Sequence, residues 1–173
     1  VGDRPTVVFG HSYGGVIALA AATQGNPALI AVVAFEAPRA WEEWWPAPPP
    51  SDVDPADAAE YFVRRVIGDD RWEELPEVVR QRRRSEGVLM VEELRAQVAR
   101  RYDARLINIP LVVGVGQRSG GHAQRGAFCI ASEAKKSRLV TIPDAGHAAP
   151  MTHPEAVAEL IRLAITDAGI TDF

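Results

Sequence analysis

An α/β fold, with a mostly parallel sheet flanked by helices and a helical insertion, is predicted by three features of the 173-residue sequence. Short apolar runs at residues 7–9, 29–35 and 109–116 have the near-continuous hydrophobicity of strands covered on both faces. Between the first run and the apolar helical stretch 16–22 stands Gly10-His11-Ser12-Tyr13-Gly14-Gly15, a strand-to-helix turn. After a charged middle stretch, strand and helix patterns alternate again from residue 106 onward.

The elements follow in order. The helix after the turn stops near Gly25-Asn26-Pro27, and residues 29–35 return as a strand beside residues 7–9, closing one right-handed crossover. Pro46, Pro48, Pro49 and Pro50 form a stiff connector. Asp54 is placed to cap a helix with Pro55 in its first turn, Ala59, Phe62, Val63, Val66 and Ile67 on one face, and Gly68 as its end. Two more helices are expected over 76–84 and 86–101, the second with Val88, Val91, Leu94 and Val98 along one face. The strand 109–116 then runs into a glycine-rich loop. A helix over 126–134, a last strand over 139–142 and a closing helix over 154–168 complete the pattern, with Val157, Leu160, Ile161 and Ala164 facing inward. The expected division is a core of residues 1–38 and 106–173 around a helical insertion of residues 39–105.

Composition bounds the function. An apolar fraction of 47% with 24% charged residues is ordinary for a globular chain of one domain. A net charge of −4 gives no reason to expect nucleic acid or an anionic membrane as partner. The single Cys129 excludes an intrachain disulfide and any multi-cysteine metal site, and reads as a small hydrophobe. No run approaches the length of a membrane helix. No signal peptide is visible, and the expected compartment is the cytoplasm, although the true N-terminus is not seen. Eleven of the nineteen Lys and Arg residues fall between Arg64 and Arg105. They are either a solvated helical face or a site for an acidic substrate.

The turn carries the chemistry. Gly10 and Gly14 leave room where a Cβ would clash in so sharp a bend, and Ser12 is pushed out above a helix N-terminus that favours developing negative charge. A serine hydroxyl needs a base at neutral pH, and His147 follows the last strand, where it can return above the turn. His11 is either packing beside the turn or a contact to substrate. His122 is a solvated loop residue or touches substrate, and His153-Pro154-Glu155 reads as the start of the closing helix.

These residues resemble the α/β-hydrolase superfamily. The resemblance rests on Gly10 to Gly15, on the strand and loop 109–119, and on Ile142-Pro143-Asp144-Ala145-Gly146-His147 followed by His153-Pro154-Glu155. It spans the whole chain but only the C-terminal half of that fold. Phe35-Glu36-Ala37-Pro38 followed by tryptophans is also similar to lid-bearing members close to haloalkane dehalogenases. Those carry Asp as nucleophile where this chain has Ser12, so dehalogenation is not implied.

The resemblance implies a serine hydrolase of a small ester or related acyl substrate, with Ser12 as nucleophile, His147 as base and Tyr13 N–H as an oxyanion donor. The same residues would equally serve acyl transfer, thioester cleavage or carbon–carbon bond hydrolysis. A non-catalytic fragment or binding protein is the other class. Many relatives carry the acid in the loop 114–121, but no Asp or Glu occurs between Leu106 and Ser132, and Ser119 lies near the expected position. Glu36, at the end of the neighbouring strand, is the expected replacement. Its alternatives are a strand-end charge or a partner for Arg39, with Asp144 organising its own turn and a Ser–His dyad as the last option. Trp41, Trp44 and Trp45 would line an apolar acyl pocket or join insertion to core. The partner expected is a small-molecule substrate, with no metal or organic cofactor implied and the oligomeric state open. Because the turn begins ten residues into the chain, the second oxyanion donor and the strands preceding the first run are expected to be missing, leaving residues 7–9 as an exposed edge and the chain a poor catalyst.

Overall fold

Strands buried along nearly their whole length need helices on both faces, and a computed structural model of the chain, described over residues 3–50, 52–99 and 102–170, has that arrangement. It divides into two compact units, one of Val1–Arg39 with Arg101–Phe173, the other of Ala40–Arg100.

The first unit holds a four-stranded, all-parallel sheet in the order β1 (Thr6–His11), β2 (Leu29–Phe35), β3 (Leu111–Gly116), β4 (Ser137–Ile142). The adjacency of the first two strands is as expected. α1 (Tyr13–Thr23) links β1 to β2. Alternate residues Ala31, Val33 and Phe35 of β2 join Val112 and Ile142 in one core layer under Val157, Leu160 and Ala164 of the closing helix, Pro154–Asp167. Val32, Ala34, Val113 and Val115, of opposite phase, are also buried. α1 and the helix Gly121–Glu133 pack on the sheet and bury Leu19 and Ile130. The outer strands β1 and β4 are only half covered, with Val7, Val8 and Phe9 all partly exposed.

The second unit is helical: α2 (Pro55–Ile67), α3 (Asp69–Glu74), α4 (Glu77–Ser85) and α5 (Gly87–Ala99). Asp54 accepts hydrogen bonds from the N–H groups of Ala56 and Asp57, and Gly68 ends α2, as the sequence predicts. The short α3 was not predicted; it forms because Trp72 is drawn into the core to 1% exposure, with the Arg64 guanidinium 5.5 Å over its ring. On α5 the buried row is Gly87, Val91 and Gln97, while Val88 and Val98 are 56% and 40% exposed. The expected apolar face is therefore rotated, and a glutamine lies inside it. Arg64, Arg80, Arg82, Arg83 and Arg84 each pair with at least one carboxylate of the same unit. Five of the eleven basic residues in the run are thus paired locally at the surface, where such pairs contribute little. Arg100 and Arg101, the end of the helix expected over 86–101, lie outside the described residues.

The helix expected over 126–134 begins earlier, at Gly121, as α6 (Gly121–Glu133). Its first turn takes in His122, expected in a loop. A short helix, α7 (Ala149–Thr152), precedes α8 (Pro154–Asp167), and His153 stands at the N-cap position of α8.

Candidate active site

Three residues other than glycine adopt positive φ among the described residues, Ser12 (54°), Glu36 (49°) and Asp144 (57°), and each follows a strand. Such conformations carry strain that the surroundings must hold in place. At Ser12 the N–H donates to the Phe35 carbonyl at 2.9 Å, while the Ser12 carbonyl accepts from Gly15 N–H at 2.8 Å. The turn closes so tightly that a Cβ on Gly10 would lie 2.3 Å from the Gly14 carbonyl oxygen. Tyr13 opens α1, directly after Ser12.

Glu36 continues β2 by one residue, its N–H donating to the Gly114 carbonyl at 3.0 Å. Its side chain is 1% exposed, and three donors converge on it. Oε2 lies 2.7 Å from His147 Nδ1, and Oε1 accepts from Gly116 N–H at 2.9 Å and from the Ser119 hydroxyl. Burial pushes the Glu36 carboxyl up, but the bonds from His147, Ser119 and Gly116 outweigh it and hold its pKa below the ordinary value. A carboxylate so held is ionised at neutral pH. Arg39, the alternative partner weighed for Glu36, pairs with Glu133 at 2.9 Å.

The loops after β3 and β4 are fastened to each other, which positions His147. Gln117 N–H donates to the Ile142 carbonyl at 3.0 Å and Arg118 N–H to the Ala145 carbonyl at 2.8 Å. Asp144 receives Arg118 at 2.7 Å and gives its N–H to the Gln117 side chain at 3.1 Å. The approach is close enough that a Cβ on Gly116 would lie 2.5 Å from the Ala145 oxygen. The geometry thus brings Glu36 and His147 together. The Ser12 hydroxyl has no hydrogen-bond partner among the described residues, so the structure does not join it to His147.

His11 flanks the same imidazole. Its ring centroid is 4.5 Å from that of His147 and 5.8 Å from that of Phe35, and its Nε2 is buried without a hydrogen-bond partner. Burial and then the neighbouring His147 lower its pKa beneath 6.5, against a main-chain hydrogen bond to His147 and the Glu36 charge, which act the other way. The unfolded chain therefore binds this proton more readily than the folded one. The His11 contribution to stability is complete above about pH 6.5 and is lost as pH falls below it. Glu36, lowered from 4.5, adds its loss only as pH falls through the carboxylate range. Urea unfolding over roughly pH 7.5 to 5 is expected to show declining stability in the wild type and a flatter profile in His11→Gln. Equal slopes would exclude His11 as the source.

Trp41 and Trp44 belong to the second unit, where the Trp44 ring lies 5.8 Å from that of Trp45. Sequence reasoning missed Ser119 and the Gly116 amide as donors to Glu36. The signal was a serine standing where an acid was expected. Among the described residues, no group of three or more His, Cys, Asp or Glu could hold a metal ion, and no helix is long and apolar enough to cross a membrane.

A parallel α/β sheet with a strained serine at a strand-to-helix turn, and a histidine–carboxylate pair after the neighbouring strands, defines a class of protein rather than one protein. The sequence profile of the alpha/beta hydrolase family matches residues 1–160, and the chain belongs to that family. No curated protein matches it in sequence. Among solved structures it is similar to an alpha/beta hydrolase enzyme from the metagenome of sediments from the lagoon of Mar Chica, Morocco, with a TM-score of 0.61 and 18% identity over 96% of this chain and 63% of that one. It is also similar to an enol-lactonase from Burkholderia xenovorans LB400, with a TM-score of 0.66 and 18% identity over 95% of this chain and 66% of that one. A meta-cleavage product hydrolase from Pseudomonas fluorescens IP01 gives a TM-score of 0.68 and 11% identity over 96% and 66%. The chain thus spans about two thirds of the length of these structures, and the likeness is one of fold.

Proposed function

We propose that this chain carries the catalytic residues of a serine hydrolase acting on a small ester or related acyl substrate. The observation that supports it best is the buried Glu36 carboxylate, ionised and 2.7 Å from His147 Nδ1, on the sheet edge from which the Ser12 turn also projects. In this reading Glu36 fixes the tautomer that leaves Nε2 of His147 as the base. Ser12 Oγ attacks the acyl carbon as its proton passes to that nitrogen, and the Tyr13 N–H stabilises the oxyanion. The tetrahedral intermediate collapses with His147 returning the proton to the departing alkoxide. Water, activated by the same nitrogen, then releases the acid.

A fluorophosphonate probe tests the reading without knowledge of the substrate. A single adduct is expected on the peptide containing Ser12, and none in Ser12→Ala. An unlabelled wild-type chain, or an adduct elsewhere, would overturn it.

A further inference from the structure

The helical unit contains a cavity of about 600 Å³ whose walls are the proline connector, α2 and α5. Its size lies in the range of small-molecule sites, and so does its character. Trp45, Pro48, Tyr61, Phe62 and Leu94 give it an apolar, largely aromatic lining, and every residue around it belongs to the one unit. Tyr61 is 66% exposed and Val53 39% exposed, both large apolar groups on the lining.

Two polar residues, Gln97 and Arg65, stand on this wall. Gln97 is only 5% exposed and lies on the cavity wall. Arg65 has no carboxylate partner among the described residues and lies 5.7 Å over the Phe62 ring. Its neighbours differ. Arg64 reaches Glu60, Asp69 and Glu73, and Arg84 reaches Asp57 and Glu60. Asp57, the one acid on the cavity wall, is therefore already paired, 2.6 Å from Arg84. The net charge presented to the cavity is the cation of Arg65.

We infer that this cavity is a binding site for a small aromatic monocarboxylate. The ring lies among Trp45, Tyr61, Phe62 and Leu94, the carboxylate pairs with the Arg65 guanidinium, and the Gln97 amide on the same wall is available as a further polar contact. The planar guanidinium, already stacked on Phe62, suits a carboxylate better than a point charge would. The inference does not depend on the serine-hydrolase reading, because none of its residues is Ser12, His147 or Glu36.

Isothermal titration of the full chain with 4-phenylbutyrate, and with the neutral 4-phenylbutanol, tests it. The acid is expected to bind about tenfold more tightly than the alcohol, a charge-assisted hydrogen bond's share of affinity. Arg65→Gln removes that preference and leaves the alcohol's affinity unchanged. Leu94→Trp, which fills a half-buried wall position, weakens both ligands, while its thermal melting confirms the fold. The titration is repeated on Ser12→Ala and on chain treated with fluorophosphonate, where binding is expected to persist. No binding to the wild type, equal affinity for acid and alcohol, or unchanged binding in Arg65→Gln would overturn the inference. Loss of binding on modification of Ser12 would also overturn it, by assigning the ligand to the candidate active site. If Ser12 never labels, the hydrolase reading fails and the cavity is still tested by Ser12→Ala.

Discussion

Replacing His147 by alanine is expected to lower kcat on an activated aryl ester by on the order of a millionfold, as loss of the base does where serine and histidine act as a unit. The size of the effect follows from what remains. Glu36 is buried behind His147, and all three of its hydrogen-bond contacts turn it away from duty as a base. His11 is in ring contact with His147, and its Nε2 is enclosed. A loss of only a hundredfold or less would mean that His11 or solvent replaces His147, and would remove His147 from the proposed role. The fold is expected to survive, because Ser119 and the Gly116 amide still satisfy the buried carboxylate. Losing one charged hydrogen bond costs about 1–3 kcal/mol, which urea unfolding can measure. Ser12→Ala supplies the background rate.

The parts of this arrangement differ in how plainly they were written in the sequence. β2 was legible to the residue, since seven apolar residues in succession leave a buried strand little alternative. The capped start of α2 was equally plain, because Asp54 before Pro55 is a local signal that needs no tertiary partner. Glu36 could be named from its place at the end of a strand. What could not be read was its positive φ, or the serine 83 positions away that bonds it, because nothing local to either residue specifies the other. The rotation of α5 was hidden for a related reason. Val88 and Val98 fit a helical stripe as well as Val91 does, and only the packing of α5 on α2 decides that Gln97 is buried in their place.

Glu36→Gln is expected to lower kcat by about ten-thousandfold while leaving the fold intact, as loss of the acid does in the serine-protease triad. The amide has the carboxylate's shape. Its oxygen can still accept from the Gly116 N–H and the Ser119 hydroxyl, but its NH2 group then faces His147 Nδ1. Nδ1 must become an acceptor, the ring proton moves to Nε2, and the nitrogen meant to take the serine proton is already occupied. Nitrogen NMR of the His147 ring is expected to report this exchange of tautomers, a signal that a merely structural role for Glu36 would not move. A kcat within a few-fold of wild type would remove Glu36 from the triad. The placement of Ser119 permits the complementary experiment. Its hydroxyl bonds Oε1 of the carboxylate whose Oε2 holds His147, so an acid at position 119 can reach the space that a shortened residue 36 vacates. The double variant Glu36→Ser with Ser119→Asp is therefore expected to recover activity over Glu36→Ser alone and to restore the proton to Nδ1. Recovery would mean that the acid is defined by the point in space from which it holds the imidazole, and that either loop can supply it. An inactive double variant with the Nδ1 proton restored would instead assign Glu36 a second task beyond the tautomer, in stabilising the imidazolium from a buried, fully hydrogen-bonded position.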